Sequence, residues 1–408
     1  MQPHFRFAGF MGKRVHLGVT GSIAAYKALD LLRAYQESDC LVSATLTESC
    51  TKFIQGLSFE ALGASPVYTS MFDGGPKADT AFGHLEPGQI ADVMVIAPAS
   101  ANTIAKLAFG MADDMLSCQA LAFPGPKIVA PAMNPRMWEA PATQRNWQTL
   151  GDLGFIRVEP ACGHVACGDT GKGRLAPLDE IFVATLKAIS PQDLAGKKVL
   201  ITLGPTRESW DAVRFWSNPS SGTMGACMAM AAYLRGADVT VVAGPNNLDF
   251  PTGIKVVSVQ TAIEMFNACE EVWPSMDMGC ATAAVADYRP VPFGGEKFKK
   301  IDSGTKGISV EFKTNPDILK TLGKQKRIDQ KLIGFAAETN NLKEEAERKL
   351  KAKDLDLIAA NDISQEGSGF GVGTNQMFVL DNAGRREMWP QLPKTEVAWR
   401  LWDHLLLD

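Results

Sequence analysis

A chain of 408 residues, with 46% hydrophobic residues, 21% charged residues and a net charge of -4, is long enough for two or three domains, each with its own core. The mild acidity argues against nucleic acid as the main partner, so any grip on a phosphorylated ligand has to come from local Lys, Arg and N–H groups. Eight cysteines without a C-x-x-C pair make no disulfide framework, no run reaches the roughly 18 apolar residues of a membrane span, and MQPHFRFAGF lacks a secretory pattern, which together predict a reducing, cytoplasmic setting.

The first predicted strand covers Val15 to Thr20, with Lys13 and Arg14 ahead of it and the turn Gly21-Ser22-Ile23 behind it. Apolar residues at Ala24, Ala28, Leu31, Leu32 and Tyr35 then share one helical face. Further strands are expected over Leu41 to Thr47, Asp92 to Pro98 and Lys127 to Met133, separated by segments of helical length. This alternation predicts a mostly parallel sheet with helices on both faces and ligands beyond the carboxyl ends of the strands. Nicotinamide dinucleotides are disfavoured, because Gly18-Val-Thr-Gly21-Ser lacks the G-x-G-x-x-G spacing and the second strand ends in Thr47 rather than an acid. A mononucleotide such as FMN fits better, with Ser22, Thr45 and Thr47 as neutral phosphate donors.

Pro98-Ala-Ser100-Ala-Asn102-Thr103 opens a helix with hydroxyl and amide groups, which is either an anion- or flavin-binding turn or a plain N-cap box. Asn134, in Pro131-Ala-Met-Asn134-Pro, serves either to fix an amide or carboxylate or as a turn former. His84, in Phe82-Gly-His-Leu-Glu, is the best base candidate of this half. The stretch from Cys162 through His164 and Cys167 to Arg174 lacks a fourth ligand for zinc, and its glycines predict a mobile loop carrying a reactive thiol over a cleft.

Five motifs in order, GSIAAYK at 21 to 27, His84, PASANTIAK at 98 to 106, PAMN at 131 to 134 and ACGDTGKGR at 166 to 174, resemble the flavin-dependent phosphopantothenoylcysteine decarboxylases over about 170 residues. The resemblance implies FMN held by Gly21, Ser22, Ile23, Thr45, Pro98, Ser100, Asn102 and Thr103. It implies His84 as a catalytic residue, Asn134 on the substrate carboxylate, Met137 and Arg174 beside the substrate, and Cys167 as proton donor. It further implies oxidation of the thiol-bearing carbon before CO2 is lost, since an acylated cysteine has no electron sink of its own.

A short linker is expected over Ala188 to Asp193, after which Leu194 to Glu208, LAGKKVLITLGPTRE, repeats the form of the first strand and turn. Strands are predicted over Val199 to Leu203, Asp238 to Ala243, Ile254 to Val259, Met278 to Ala286, Leu332 to Ala337 and Leu355 to Ala360. The expected fold is therefore α/β, two doubly wound, mostly parallel, Rossmann-like domains in series, 1–190 and 191–408. Arg214-Phe-Trp-Ser-Asn218 leads through Gly222 to Gly225 and a helix at 224 to 234, a box suited to a phosphate or acyl-phosphate or else a tightly packed helix start. Pro292 to Lys300 reads as a mobile basic flap or a solvated surface, and Lys349 and Lys353 share one helix face.

The motifs VLITLGPTRE, SNPSSGTMG, AAVADYRP, EKFKK, TNPDIL, GFAAET and LIAAND resemble the phosphopantothenate-cysteine ligase domain over about 197 to 362. That resemblance implies CTP, magnesium on its phosphates with ligands unassigned, and an acyl-cytidylate attacked by cysteine. Ala281, Thr282, Ala283, Asp287, Lys297, Pro316, Asp317, Ile318, Leu319, Phe335, Lys349 and Lys353 match positions that hold the nucleotide. Asn218 and Arg214 match residues that process the acyl-cytidylate, and Lys297 would neutralise the triphosphate during attack. Thr223 stands where the ligase motif carries Lys, which leaves a decarboxylase with an inactive ligase half as one alternative, and a non-catalytic FMN-binding regulator as another. The expected partners are phosphopantothenate, cysteine and CTP, in a homo-oligomer.

Overall fold

The computed structural model describes residues 2–71, 82–165, 168–299, 308–338, 340–362, 364, 369 and 371–407. Contacts divide the chain into two compact units, Phe7–Ser190 and a second made of Met1–Arg6 with Pro191–Asp408.

In the first unit, strands β1 (Arg14–Val19), β2 (Leu41–Leu46), β3 (Val67–Tyr68), β4 (Val93–Ala99), β5 (Lys127–Pro131) and β6 (Ile156–Arg157) form one parallel sheet in the order β3-β2-β1-β4-β5-β6. This is the doubly wound order, and its direction of winding reverses between β1 and β4. The strands are almost uninterrupted apolar runs because helices cover both faces, and every residue of β4 is buried. Met94, Ile96, Val129, Trp138, Trp147 and Leu150 join one core cluster behind the sheet. The stretch expected to be a mobile loop is mostly an antiparallel hairpin, β7 (Ala161–His164) with β8 (Thr170–Arg174). Gly173, at φ 150°, lets β8 run close to the segment around Asn134, where a Cβ would lie 2.5 Å from the Met133 carbonyl.

In the second unit, β9 (Lys198–Leu203) is followed not by a helix, as its likeness to the first strand suggests, but by the hairpin β10 (Arg207–Ser209) with β11 (Phe215–Ser217). Pro205, directly after Gly204 at φ 78°, turns the chain away, and the helix starts only at Thr223–Leu234. Next come β12 (Asp238–Ala243), β13 (Lys255–Ser258), β14 (Met278–Ala281), the antiparallel pair β15 (Tyr288–Pro290) and β16 (Phe312–Thr314), then β17 (Lys331–Glu338) and β18 (Leu357–Asp362). Short β19 (Thr374–Asn375) pairs with β22 (Leu392–Pro393), and β20 (Phe378–Asp381) with β21 (Arg386–Met388).

The main sheet runs β13-β12-β9-β14-β17-β18-β20-β21, parallel except for an antiparallel edge from β20 onward. The strand expected to reach Ala286 stops at Ala281, because Thr282 and Ala283 turn to bond Thr202 through its carbonyl and hydroxyl. The Ala- and Met-rich helix Thr223–Leu234 is buried on nearly all sides, between β9 and the helix Lys394–Leu405. Just past its end, the buried Arg235 pairs with Asp193 (2.6 Å) and Asp403 (2.7 Å).

Residues 2–6 belong to the second unit. Gln2 and Asp249 exchange two hydrogen bonds, Gln2 Nε2 to Asp249 Oδ2 (2.6 Å) and Asp249 N to Gln2 Oε1 (3.1 Å), and His4 and Phe5 are buried there. Among the described residues no helix is long and apolar enough to cross a membrane.

Candidate active sites

The first unit has a cleft of about 630 Å³ at the carboxyl ends of β1 and β4, the point where the sheet's winding reverses. Two helical N-termini meet there. Ser22 caps the turn Ile23–Tyr26 that runs on into helix Lys27–Gln36, accepting from Ala24 N, and Ser100 caps helix Ala101–Phe109, accepting from Thr103 N (3.3 Å). Both serines, with Gly21 and Ile23, line the cleft. Thr20 stitches the two strand ends together: its hydroxyl donates to the Pro98 carbonyl (2.8 Å) and accepts from Ser100 N (2.8 Å). Sequence reading did not single out Thr20, whose partners lie 78 and 80 positions away.

Exposed Ile23, Tyr26, Phe53 and Met137 supply apolar surface around these polar ends. The opposite wall brings Asn134, Met137, His164 and Arg174 to the cleft. Asn134 caps helix Pro135–Glu139, its Oδ1 accepting from Arg136 N (2.8 Å) and its Nδ2 donating to Asp169 Oδ2 (2.7 Å). Its amide thus already faces a carboxylate with its N–H side. His164 Nδ1 lies 2.8 Å from Thr170 Oγ1 across the hairpin.

Four expected FMN contacts stand apart from the cleft lining. Thr45 is fully buried, with its hydroxyl donating to Gln119 Oε1 (2.6 Å), because it shares the face of β2 that packs on His16. Pro98 is buried in β4, Asn102 is exposed on the first helical turn, and Thr103 is buried with its hydroxyl 3.1 Å from Ser100 Oγ. Thr47 caps helix Glu48–Thr51. His84 sits in the turn after Phe82 and does not line the cleft. Cys167 lies outside the described residues.

The cleft passes a test for a flavin mononucleotide. Paired helix N-termini, each capped by a serine at the cleft, suit a phosphate dianion, and the apolar rim suits a flat ring system. Among the described residues no cluster of three or more His, Cys, Asp or Glu is placed to hold a metal ion.

The second unit repeats the arrangement at its own reversal point, between β9 and β14. One cleft, of about 250 Å³, is lined by Asn218, the Ser220 to Gly225 turn, Thr282, Asn361, Asn375 and Lys394. A Cβ on Gly225 would lie 2.5 Å from Leu203 Cβ and 2.3 Å from Thr282 Oγ1, so only glycine lets the helix start sit against these strand ends. Thr223 shares its hydroxyl with Ser221 (2.9 Å), and Asn218 Nδ2 donates to the Ala284 carbonyl (3.2 Å).

A neighbouring cleft of about 200 Å³ is lined by Ala281, Ala283, Asp287, Pro316, Asp317, Ile318, Leu319, Phe335 and Lys353, and shares Ala283, Val285 and Phe335 with the first. Nine residues expected to hold a nucleotide therefore converge from four separate segments. Asp317 caps helix Ile318–Gln325 and pairs with Lys353 (2.9 Å). Thr282 faces the other cleft, and Lys349 is paired with Glu338 (2.5 Å) rather than lining either.

Arg214 and Lys297 lie on the flank. The buried Asp211 carboxylate, which sequence reading missed, accepts from Arg214 N (2.6 Å), Arg214 Nη1 (3.0 Å) and Phe298 N (3.1 Å). Phe293 N donates to the Trp210 carbonyl (2.7 Å), so the described part of the flap expected to be mobile is pinned on both sides of the exposed Lys297.

Fold and clefts define a tandem α/β protein with a cleft at the reversal point of each sheet. Residues 10–190 match the Flavoprotein family, and residues 194–407 match the DNA/pantothenate metabolism flavoprotein C-terminal domain. The chain is 40% identical over 393 residues to the coenzyme A biosynthesis bifunctional protein CoaBC of Bacillus subtilis, covering 95% of each chain. To the protein of the same name from Escherichia coli K12 it is 41% identical over 397 residues, covering 95% of this chain and 97% of that one. The chain belongs to this family of bifunctional coenzyme A biosynthesis proteins. Similar solved structures include the C-terminal domain of a CoaBC protein (38% identity, 53% of this chain, 96% of that chain, TM-score 0.44) and the FMN-binding protein AtHal3 (34%, 43%, 95%, TM-score 0.36).

Proposed function

We propose that the chain makes 4'-phosphopantetheine in two steps, residues 191–408 ligating cysteine to 4'-phosphopantothenate with CTP and residues 1–190 decarboxylating the product with FMN. The observation that carries the first-unit reading is the meeting of two serine-capped helix N-termini in one apolar-rimmed cleft. FMN bound there would supply two-electron oxidation and re-reduction at the thiol-bearing carbon, which creates the electron sink that CO2 loss needs.

Ser22, Ser100 and the N–H groups beside them hold the phosphate, and Ile23, Tyr26 and Phe53 shield the ring from water. Asn134 Nδ2 holds the substrate carboxylate, a role supported by its present bond to the Asp169 carboxylate. Met137 and Arg174 flank the substrate. The family resemblance, not the cleft lining, supports His84 as the group that moves a proton at the reacting carbon and Cys167 as the one that returns a proton to the product.

In the second unit, Asp287, Phe335, Lys353 and the segment Pro316 to Leu319 hold the cytidine nucleotide, and the Gly222 to Gly225 helix start receives phosphates. The carboxylate of phosphopantothenate attacks the α-phosphorus of CTP and releases pyrophosphate. The amine of cysteine then attacks the acyl-cytidylate carbonyl and releases CMP. Lys297 and Lys349 neutralise charge on the phosphates, magnesium enters with them, and Arg214 and Asn218 steady the acyl-cytidylate. A reducing cytoplasmic setting is supported by seven free cysteines among the described residues. A homo-oligomeric state rests on the resemblance alone.

The test is direct. Purified protein, stripped of small molecules and given FMN, should take on a flavin spectrum; with phosphopantothenate, cysteine, magnesium and CTP it should release CMP, pyrophosphate and CO2. A protein that binds no FMN ends the decarboxylase reading, and turnover of ATP alone ends the assignment of CTP.

A further inference from the structure

The helix Met115–Ala122 buries a single amide, Gln119, beneath the turn that carries His84. Four polar side chains lie in this otherwise apolar layer, and their hydrogens can be assigned in sequence. The Thr45 hydroxyl donates to Gln119 Oε1 (2.6 Å). With that proton committed, Thr45 Oγ1 accepts from His16 Nε2 (3.0 Å), which also lies 3.2 Å from Gln119 Oε1. His16 therefore carries its proton on Nε2, and its Nδ1 accepts from Ser43 Oγ (2.8 Å). Burial lowers the imidazole from 6.5 to about 4, so it is neutral near pH 7.

Both donors claim the amide oxygen, which leaves the Gln119 NH2 directed at the Gly83 carbonyl (3.0 Å). The turn is held from its other side as well. Tyr68 donates its hydroxyl to Glu86, and its ring lies where a Cβ on Gly83 would approach to 3.2 Å. The turn closes with Leu85 N on the Phe82 carbonyl (2.8 Å), and His84 sits between these two residues. A buried polar chain of this kind costs desolvation unless each member is satisfied, and here each bond leads to the next and ends on the backbone beside His84.

We propose that Gln119 is a positioning residue for His84, fixing the Phe82–Leu85 turn through the Gly83 carbonyl, with His16 and Thr45 setting which way its amide faces. This rests on the assignment of His84 to the decarboxylation.

Two variants of the full chain test it, Q119L, which removes the chain's last bond, and Q119E, which keeps the shape but exchanges the NH2 for oxygen. In Q119L the decarboxylation kcat should fall about tenfold to hundredfold, the range expected when a reacting group is displaced by roughly 1 Å. FMN affinity, read by flavin fluorescence, should stay within about twofold of the parent. Hydrogen exchange at the Gly83 to Leu85 amides should quicken with or without FMN. In Q119E a protonated carboxyl can donate to the Gly83 carbonyl and an ionised one cannot, so its kcat relative to the parent should recover as pH falls from about 8 to about 6. Unchanged exchange with kcat within about twofold of the parent in Q119L overturns the proposal. Loss of FMN affinity in both variants does so too, because it shows packing rather than positioning. A His84→Asn control separates the layers: if it retains full activity, the role given to His84 fails and the inference fails with it.

Discussion

Lowering the pH should weaken the first unit through one side chain, His16. The imidazole is fully enclosed, and burial holds it down to about 4 against 6.5 in the unfolded chain. Between these values the unfolded chain binds a proton at His16 that the folded chain does not, so stability falls as pH falls through the window and the loss is complete near pH 4. Relative to pH 7, the loss at pH 5 comes to about 2 kcal/mol. Urea titrations of the parent and of His16→Gln at both pH values would measure it, with a brief labelling pulse at the buried thiols Cys40 and Cys50 reporting the unfolded fraction of this unit. The parent should lose about 2 kcal/mol more than the variant on acidification. Equal losses in the two proteins would refute the reasoning, since other carboxylates and histidines titrate alike in both.

Three further outcomes are expected. Gly173→Ala places a Cβ 2.5 Å from the Met133 carbonyl at a φ of 150° and should cost about 1–3 kcal/mol, seen as a lower Tm and a weaker grip on substrate. Arg235→Met removes a buried cation from Asp193 and Asp403 and should destabilise the second unit by about 2–4 kcal/mol in urea. Lys353→Met leaves Asp317 without its cation in the cleft proposed for the nucleotide and should raise the KM for CTP about tenfold with a smaller change in kcat, as steady-state kinetics would show.

Features carried by short local motifs were legible in the sequence. Ser22 and Ser100 were found because a hydroxyl just past an apolar run is a helix start, and both do cap one. The parallel sheets followed from the spacing of the apolar runs. The surroundings of Thr45 were not legible, because alternation along a strand identifies two faces without saying what each one meets, and the face of Thr45 holds His16. The hairpin after β9 was invisible because Gly204 and Pro205 suit a helix-start turn as well as a turn into a strand. Gln119, Thr20 and Asp211 act through partners 36, 78 and 87 positions away, and no local pattern records such a pairing.

The segment Met1–Arg6 gives the chain an unusual order. It packs with Pro191–Asp408, while Phe7–Ser190 lies between the two in sequence. Topologically, the first unit is an insertion within the second, closed at both ends. A single proteolytic cut near Ser190 would therefore leave two fragments still clasped through Gln2, His4 and Asp249.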